Sequence, residues 1–193
     1  MKRLFLNLLV ALLVAASLSS CGYNSGVEKQ EKVDAQWGQV QNVYQLRADK
    51  VKSLVATVKG AANFEKSTLE AVVNARAKAT SVNISPDKLD EASLAKFQAA
   101  QQGLSSALGR LMVVVEKYPD LKSNQNFLEL QAEIVSIENK IGVERMRFNE
   151  AVQDFNTHIK TFPNNMFAGM FGFEKKGYFK AEETSLKAPD IQF

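Results

Sequence analysis

Residues 37–61 read WGQVQNVYQLRADKVKSLVATVKGA, and their apolar side chains recur at alternating spacings of three and four residues. Two later stretches, 94–118 and 127–155, repeat this rhythm. The positions on one helical face of the three stretches are Trp37, Val40, Tyr44, Arg47, Val51, Leu54, Val58 and Ala61, then Leu94, Phe97, Gln101, Leu104, Leu108, Leu111, Val115 and Tyr118, and finally Phe127, Leu130, Ile134, Ile137, Ile141, Glu144, Phe148, Ala151 and Phe155. Sustained heptads are typical of long helices packed nearly parallel, so the sequence predicts an all-α, elongated bundle.

Short turns containing proline separate these helices. Ser85-Pro86-Asp87 precedes Asp90, which is placed to cap the second helix. Tyr118-Pro119 and Phe162-Pro163 should end the second and third helices, because the residue before a proline disfavours helical geometry. Connections of a few residues force neighbouring helices to run antiparallel, and the predicted architecture is therefore an up-and-down bundle.

The number of helices depends on Gly60. We expect three long helices, with the first continuing through Gly60 to about Ser81, although a break at this glycine, which costs ~1 kcal/mol inside a helix, would give four. Counting ~1.5 Å per residue, the continuous helix places Glu144 level with Arg76, whereas a reversal at Gly60 places it near Arg47.

Four charged residues form a candidate buried charge layer: Arg47, Glu65, Arg76 and Glu144. Arg47, Glu65 and Glu144 fall at heptad positions that otherwise carry apolar side chains, with Arg76 as a candidate partner. A charge buried alone is very costly, so these residues should pair or lie where the interface between the helices (the helical seam) opens to water. The layer is either a recognition site or a polar layer that sets the register of the helices, and we favour the second interpretation.

The N-terminus has the pattern of an export signal. Lys2 and Arg3 precede a mostly apolar run, residues 4–18, which is shorter than the ~20 residues that a transmembrane helix needs. The run leads into Leu18-Ser19-Ser20-Cys21, which resembles the bacterial lipobox, and Cys21 is the only cysteine of the chain. We therefore predict that Cys21 is acylated and anchors the protein in the bacterial cell envelope, facing the periplasm or the cell exterior.

This interpretation divides the chain into four parts. Residues 1–20 form the signal peptide, 21–27 a lipidated N-terminus with a short linker, 28–162 the bundle, and 163–193 an irregular apolar tail that packs on the bundle or projects from it. Two or three acyl chains, at ~0.8 kcal/mol per buried methylene, give durable attachment to a membrane.

Composition argues against several classes of function. The net charge of +3 includes Lys2 and Arg3, and their removal leaves 24 minus 2, or 22, basic side chains against 21 acidic ones, so a nucleic-acid partner is not expected. The single histidine, His158, which we expect to be structural or exposed, cannot build a multi-histidine metal site. Since no nucleophile elbow or phosphate loop occurs either, we expect no enzymatic activity and no cofactor apart from the covalent lipid.

An apolar run with two methionines, MFAGMFGF, follows the last long helix at residues 166–173. Eight residues cannot span a membrane. The run either folds back over the end of the bundle or forms an adaptable patch that docks a partner or the bilayer surface, with candidate residues Met166, Phe167, Met170, Phe171 and Phe173.

The mature chain resembles the LemA family over nearly its whole length. The segments that carry the resemblance include 44–49 (YQLRAD), 54–60 (LVATVKG), 118–122 (YPDLK), 126–131 (NFLELQ), Phe148-Asn149, Phe155-Asn156, 162–165 (FPNN) and 188–193 (APDIQF). One departure is Lys52-Ser53, where the family often has Pro-Asn. The resemblance implies a helical bundle with N-terminal membrane attachment, no established enzymatic activity, and partners such as membrane peptidases or TPM-domain proteins.

Two functions are consistent with these features. The first is a scaffold or adaptor for membrane-associated proteins, which should have a packed core and an exposed apolar patch. The second is a module that binds lipid or another envelope ligand in a groove along the helical seam, which should have an internal apolar cavity there. The long seams also make homo-oligomerisation an expectation.

Overall fold

The computed structural model describes the backbone of residues 2–61 and 64–181, and side chains within those ranges from residue 22 onward. In these ranges the helices are α1 (Lys2–Lys59), α2 (Lys66–Ser81), α3 (Glu91–Val115), the four-residue α4 (Pro119–Lys122) and α5 (Gln125–Lys160), with 3₁₀ turns at Pro86–Lys88 and Asn164–Met166. The described residues contain no strand, and the predicted all-α bundle is confirmed.

The first heptad segment is not continuous, so the preferred three-helix interpretation is wrong. α1 closes in a turn in which the Gly60 and Ala61 amides donate to the carbonyls of Thr57 and Val58, at 3.2 and 3.0 Å. α2 then runs back along α1, with the Arg76 Nε atom donating to the Ala48 carbonyl. The reversal lets α2 cover Leu54 and Val58 of α1 with its own buried side chains. The described residues therefore contain four long helices, α1, α2, α3 and α5, besides the four-residue α4.

The helix ends agree with the sequence more closely. The Asp90 carboxylate caps α3 by accepting a hydrogen bond from the Ser93 amide at 2.8 Å, as predicted. α3 ends at Val115, just before Tyr118-Pro119, and α5 ends at Lys160, just before Phe162-Pro163. Proline at the first position of α4 has the fixed backbone angle that a helix start tolerates.

Helices α1 and α5 form the longest contact of the bundle and run antiparallel. Four charged pairs among the described residues mark their register: Lys29 and Lys32 with Asp154, Arg47 with Glu138, and Lys50 with Glu133. The core between the helices consists of two apolar clusters. One surrounds Trp37 and Phe148 towards the end that contains Gly22, which we call the Gly22 end, and the other surrounds Leu54 and Leu111 towards the Gly60 end.

The C-terminal segment 174–181 is extended and completes the first cluster. The Asn156 side chain both donates to the Lys176 carbonyl and accepts from the Lys176 amide, each at 2.9 Å. Asn149 does the same with Phe179, at 3.0 and 2.9 Å. The Phe179 ring is thereby held against Trp37, with 6.2 Å between the ring centroids.

The seven-residue spacing of Phe148-Asn149 and Phe155-Asn156 explains this arrangement. Both phenylalanines are fully buried in the core, while each following asparagine faces the extended segment. Part of the predicted tail is therefore an integral piece of the fold. Residues 182–193, which include the APDIQF segment, lie outside the described residues.

Candidate functional site

The part of α1 that contains Gly22 meets the end of α5 at the Gly22 end. The Nε2 atom of His158 lies 2.9 Å from the Gly22 carbonyl oxygen, and its Nδ1 atom lies 3.3 Å from the Asn164 side-chain nitrogen. Since a carbonyl can only accept and an amide nitrogen can only donate, this pattern fits a ring protonated at Nε2. His158 therefore acts as a structural tie between α1 and α5, and the prediction of a structural or exposed histidine agrees with this contact.

Two glycines allow α1 to approach the C-terminal residues closely. A Cβ atom at Gly22 would lie 2.5 Å from Oδ1 of Asn164, and one at Gly26 would lie 2.5 Å from the Phe173 ring. Tyr23, between them, stacks on the Phe173 ring at 5.9 Å. Residues 22–27, part of the segment 21–27 that was predicted to contain a linker, are instead a packed part of α1, because this glycine spacing brings the helix into contact with Asn164 and Phe173.

The apolar lobe, by which we mean residues 162–173, is partly packed and partly exposed. Phe167, Phe171 and Phe173 are half-buried, and the Phe171 and Phe173 rings are 6.2 Å apart. Met166 and Met170 are 65% and 79% exposed. The five predicted residues thus lie together, with the aromatic ones folded back on the bundle and both methionines largely exposed.

Phe162 was not among the residues predicted for the apolar patch, although it is 79% exposed at the start of this lobe. Its position before Pro163 was used to predict the end of a helix and to support the family resemblance. A large apolar side chain in the turn after a helix is the signal that could have added it to the exposed patch.

An apolar cavity of about 450 Å³ opens inside the lobe. Its wall is formed by Gly22, His158, Ile159, Phe162, Pro163, Asn164, Met166, Phe167, Ala168, Phe171 and Phe173. The side chain of Cys21 lies outside the described residues, so its acylation remains a prediction. Gly22, the next residue, nevertheless lines the cavity directly.

Arg47 lies in a polar layer between the two core clusters. Its side chain is 2% exposed, and its Nη2 atom donates to the Ser105 hydroxyl at 2.6 Å and to the Glu138 carboxylate at 2.9 Å. Gln101, also buried, donates to the Ala79 carbonyl from the next turn of α3. A buried charge with such fixed partners can set the register of three helices.

The other three residues of the predicted layer do not join Arg47. Glu65 is exposed and precedes the first residue of α2, and Arg76 lies on the surface of the hairpin, 3.9 Å from Asp49. Glu144 is half-buried and pairs with Gln36 and Arg147, at 2.6 and 2.8 Å.

Both predicted partners of Glu144 are therefore wrong. The antiparallel register of α1 and α5 places Arg47 level with Glu138, which lies closer to the Gly60 end than Glu144 does. The sequence could not supply this register, because it depends on where the chain turns.

A second buried charge, Lys176, was not predicted. Its ammonium group donates to the Pro86 carbonyl at 2.9 Å. Burial raises the pKa of the neighbouring Asp34 carboxyl, whereas the positive charge of Lys176 lowers it. Lys176 thus ties the extended C-terminal segment to the connection between α2 and α3.

Two absences apply to the described part of the chain. It contains no group of three or more histidine, cysteine or acidic side chains that could hold a metal ion. No helix with described side chains combines the length and the apolar character needed to cross a membrane.

Comparison with known proteins gives one family. The LemA family model matches residues 36–193. The chain is 34% identical over 95 residues to magnetosome protein MamQ 2 of Paramagnetospirillum magneticum, which is 48% of this chain and 35% of that protein. It is 29% identical over 124 residues to protein LemA of Metamycoplasma hominis, which is 64% of this chain and 53% of that protein.

These alignments span only about a third to a half of the relatives' own lengths. The family match, in contrast, covers most of this chain and includes α1 from residue 36 onward, the other helices, the apolar lobe and the extended segment described above. The chain belongs to the LemA family.

Proposed function

We propose that the protein is a lipoprotein of the bacterial cell envelope, anchored through Cys21, and that its bundle is a non-enzymatic scaffold for membrane-associated proteins. The observation that carries this proposal is the position of Gly22, which lies at the same end of the bundle as exposed Phe162, Met166 and Met170. A lipid anchor and an apolar surface at one end would both face the bilayer. The rest of the bundle would then project away from it.

The length of α1 gives the scaffold its reach. From residue 22 to residue 59, at ~1.5 Å per residue, the helix extends ~55 Å. The Gly60 end would therefore stand well clear of the headgroups. A groove of about 430 Å³ opens there beside Gly60, Tyr118 and Asn124, within reach of a partner.

The interior supports a scaffold better than a ligand module acting along the seam. The groove beside the seam has a volume of about 270 Å³ and is lined largely by polar side chains, including Gln41, Gln45 and Asn83. The positions facing the seam are filled by the two apolar clusters and the Arg47 layer. Neither MamQ 2 nor LemA is named for a catalytic activity.

The anchor is tested by replacing Cys21 with serine. Metabolic labelling with a clickable fatty acid should mark the parent chain and leave the Cys21→Ser chain unlabelled, because the thiol is the predicted acceptor. Label of equal intensity on both chains would contradict acylation at this residue.

The scaffold is tested by crosslinking in intact cells. A photoreactive amino acid at exposed Lys122, at the Gly60 end, should capture one discrete membrane protein, such as a membrane peptidase, a TPM-domain protein or a second copy of this chain. The same probe at Met146, exposed on the side of α5, serves as the control. Capture at Lys122 should be lost in the Cys21→Ser chain, which is no longer held at the membrane. If neither position gives a discrete adduct, the scaffold proposal is refuted.

A further inference from the structure

The proposed scaffold function makes no use of the cavity in the apolar lobe. We propose that it holds one fatty acyl chain of the lipid on Cys21. This inference rests on the lipid anchor of the proposed function, and it adds a defined seat for part of that lipid on the protein itself.

The chemistry of the wall selects an apolar ligand. Ile159, Phe167, Ala168 and Phe171 contribute hydrocarbon surface, and a volume of about 450 Å³ lies in the range of small-molecule pockets. A pocket lined mainly by apolar and aromatic side chains favours an apolar ligand.

The polar groups at the rim are already engaged. His158 contacts the Gly22 carbonyl through one ring nitrogen and the Asn164 side chain through the other. The Asn164 nitrogen also donates to the His158 carbonyl. A polar or charged ligand would have to compete with these contacts, whereas a hydrocarbon chain leaves them intact.

The position of Gly22 identifies the source of the chain. Gly22 lines the cavity, and the Cα atom of Cys21 must lie ~3.8 Å from that of Gly22. An acyl chain attached to Cys21 is therefore delivered at a high effective concentration. A phospholipid chain would have to leave the bilayer in the same way, but without a covalent tether that holds it beside the cavity.

The packing of α1 next to Cys21 means that a seated acyl chain would also orient the bundle. Residues 22–27 are helical and in contact with the lobe, so little slack remains between the lipid and the bundle. With one chain in the cavity and the remaining chains in the bilayer, the lipid would fix the orientation of the bundle. A flexible linker at the same position would only tether it.

The experiment uses the full chain in intact cells. Cells are fed a fatty acid that carries a diazirine and an alkyne, irradiated, and the protein is purified and digested with trypsin. The expected product is an intrachain crosslink that joins the N-terminal peptide containing Cys21 to the peptide 161–175, which contains most of the cavity wall.

Each other product overturns the inference in a recognisable way. Label on Cys21 with crosslinks to phospholipids alone leaves the anchor intact and refutes the cavity seat. Adducts on 161–175 that are not joined to Cys21 assign the cavity to a bilayer lipid. Absence of label from Cys21 refutes the anchor and the seat together.

A matched pair of variants separates the cavity from the exposed patch. Met166 lines the cavity and Met170 does not, although both are exposed methionines of the same lobe. Met166→Glu places a carboxylate in the apolar wall and should reduce the intrachain crosslink by about tenfold. Met170→Glu should keep the yield within about twofold of the parent, since its side chain lies outside the wall. Equal loss in both variants would refute the assignment.

Discussion

Replacing Glu138 should destabilise the protein much more than replacing Arg47, although the two residues form one pair. Arg47 is almost fully buried, whereas the Glu138 side chain is 40% exposed. Glu138→Gln leaves the guanidinium in place without its carboxylate. Loss of one partner of a fully buried pair costs ~3–5 kcal/mol, and an exposed pair is worth under ~1 kcal/mol. Because Glu138 is partly solvated, we expect an intermediate loss of ~1–3 kcal/mol.

Arg47→Met removes the buried charge itself. An unbranched apolar side chain can fill much of the same space between the two core clusters, so the free energy of unfolding should stay within ~1 kcal/mol of the parent. The double variant should be about as stable as Arg47→Met. Once the buried guanidinium is gone, the negative charge at position 138 has nothing to neutralise, so removing it changes little. The coupling energy between the two positions should therefore be at least ~1 kcal/mol.

Urea unfolding followed by Trp37 fluorescence measures these differences, and Trp37 is the only tryptophan of the chain. Lys50 and Glu133 provide a matched control on the same two helices, since both side chains are partly exposed and 2.7 Å apart. Their coupling should be ~0.5 kcal/mol or less. If Arg47→Met loses several kcal/mol and couples weakly with Glu138→Gln, the charge layer does not work as a compensated pair. If stability is unchanged but the crosslinked partner is lost, Arg47 belongs to a recognition site.

Three further perturbations test the packing at the Gly22 end and the helix caps. Gly26→Ala should destabilise the chain by ~1–3 kcal/mol in urea, because its Cβ would lie 2.5 Å from the Phe173 ring, whereas Gly38→Ala, with open space around it, should stabilise it by ~0.5–1 kcal/mol; the reverse order would contradict the close approach. Asn156→Ala removes two buried hydrogen bonds to the C-terminal segment and should cost ~2–3 kcal/mol, with faster proteolysis of that segment as the second readout. Since the hydrogen bond from the backbone amide three residues on lowers the pKa of Asp90, its contribution is present above the unfolded value of 3.8 and lost as pH falls through the lower folded value. Asp90→Ala should thus be less stable than the parent near neutral pH and converge with it in acid, and a constant difference across this range would contradict the assignment.

The sequence predicted the core because helical periodicity is a local property. Trp37, Leu54, Leu104 and Phe148 were placed on the apolar face by spacing alone, and all four are buried. Asp90 was placed as a cap on its residue type and position, and the carboxylate makes the expected hydrogen bond. Such features depend on a few neighbouring residues, so they can be predicted from the local sequence.

The turn at Gly60 depends on the whole bundle. One glycine changes helix stability by only ~1 kcal/mol, which the burial of a few side chains can exceed. Val72 and Ala79 are buried because the chain reverses and α2 covers α1, a gain that no local pattern expresses. The partner of Glu144 was missed because residue counting from a reversal at Gly60 placed Glu144 near Arg47, whereas Arg47 lies level with Glu138, six residues away.

The C-terminal segment has no periodicity that would predict its place. Lys176 and Phe179 are buried in an extended stretch that follows an irregular lobe. The available signal was the repeated Phe-Asn pair, in which Asn149 and Asn156 stand seven residues apart. An asparagine side chain can hydrogen-bond both an amide and a carbonyl of an extended backbone. Two such residues on one helical face therefore form a surface that can bind an extended segment.

The position of Phe179 also makes completeness of the chain a condition for closing the fold. Trp37 is synthesised early, whereas the ring that covers it belongs to one of the last described residues. The cluster around Leu54 and Leu111 contains no residue beyond Ile134, so it can form while the rest of the polypeptide is still emerging. A chain that stops before Gly177 would thus have a complete cluster around Leu54 and Leu111. The cluster around Trp37 would lack Phe179 and leave aromatic side chains exposed. Proteases recognise such surfaces, and a prematurely terminated copy would be open to degradation while the full-length protein is protected.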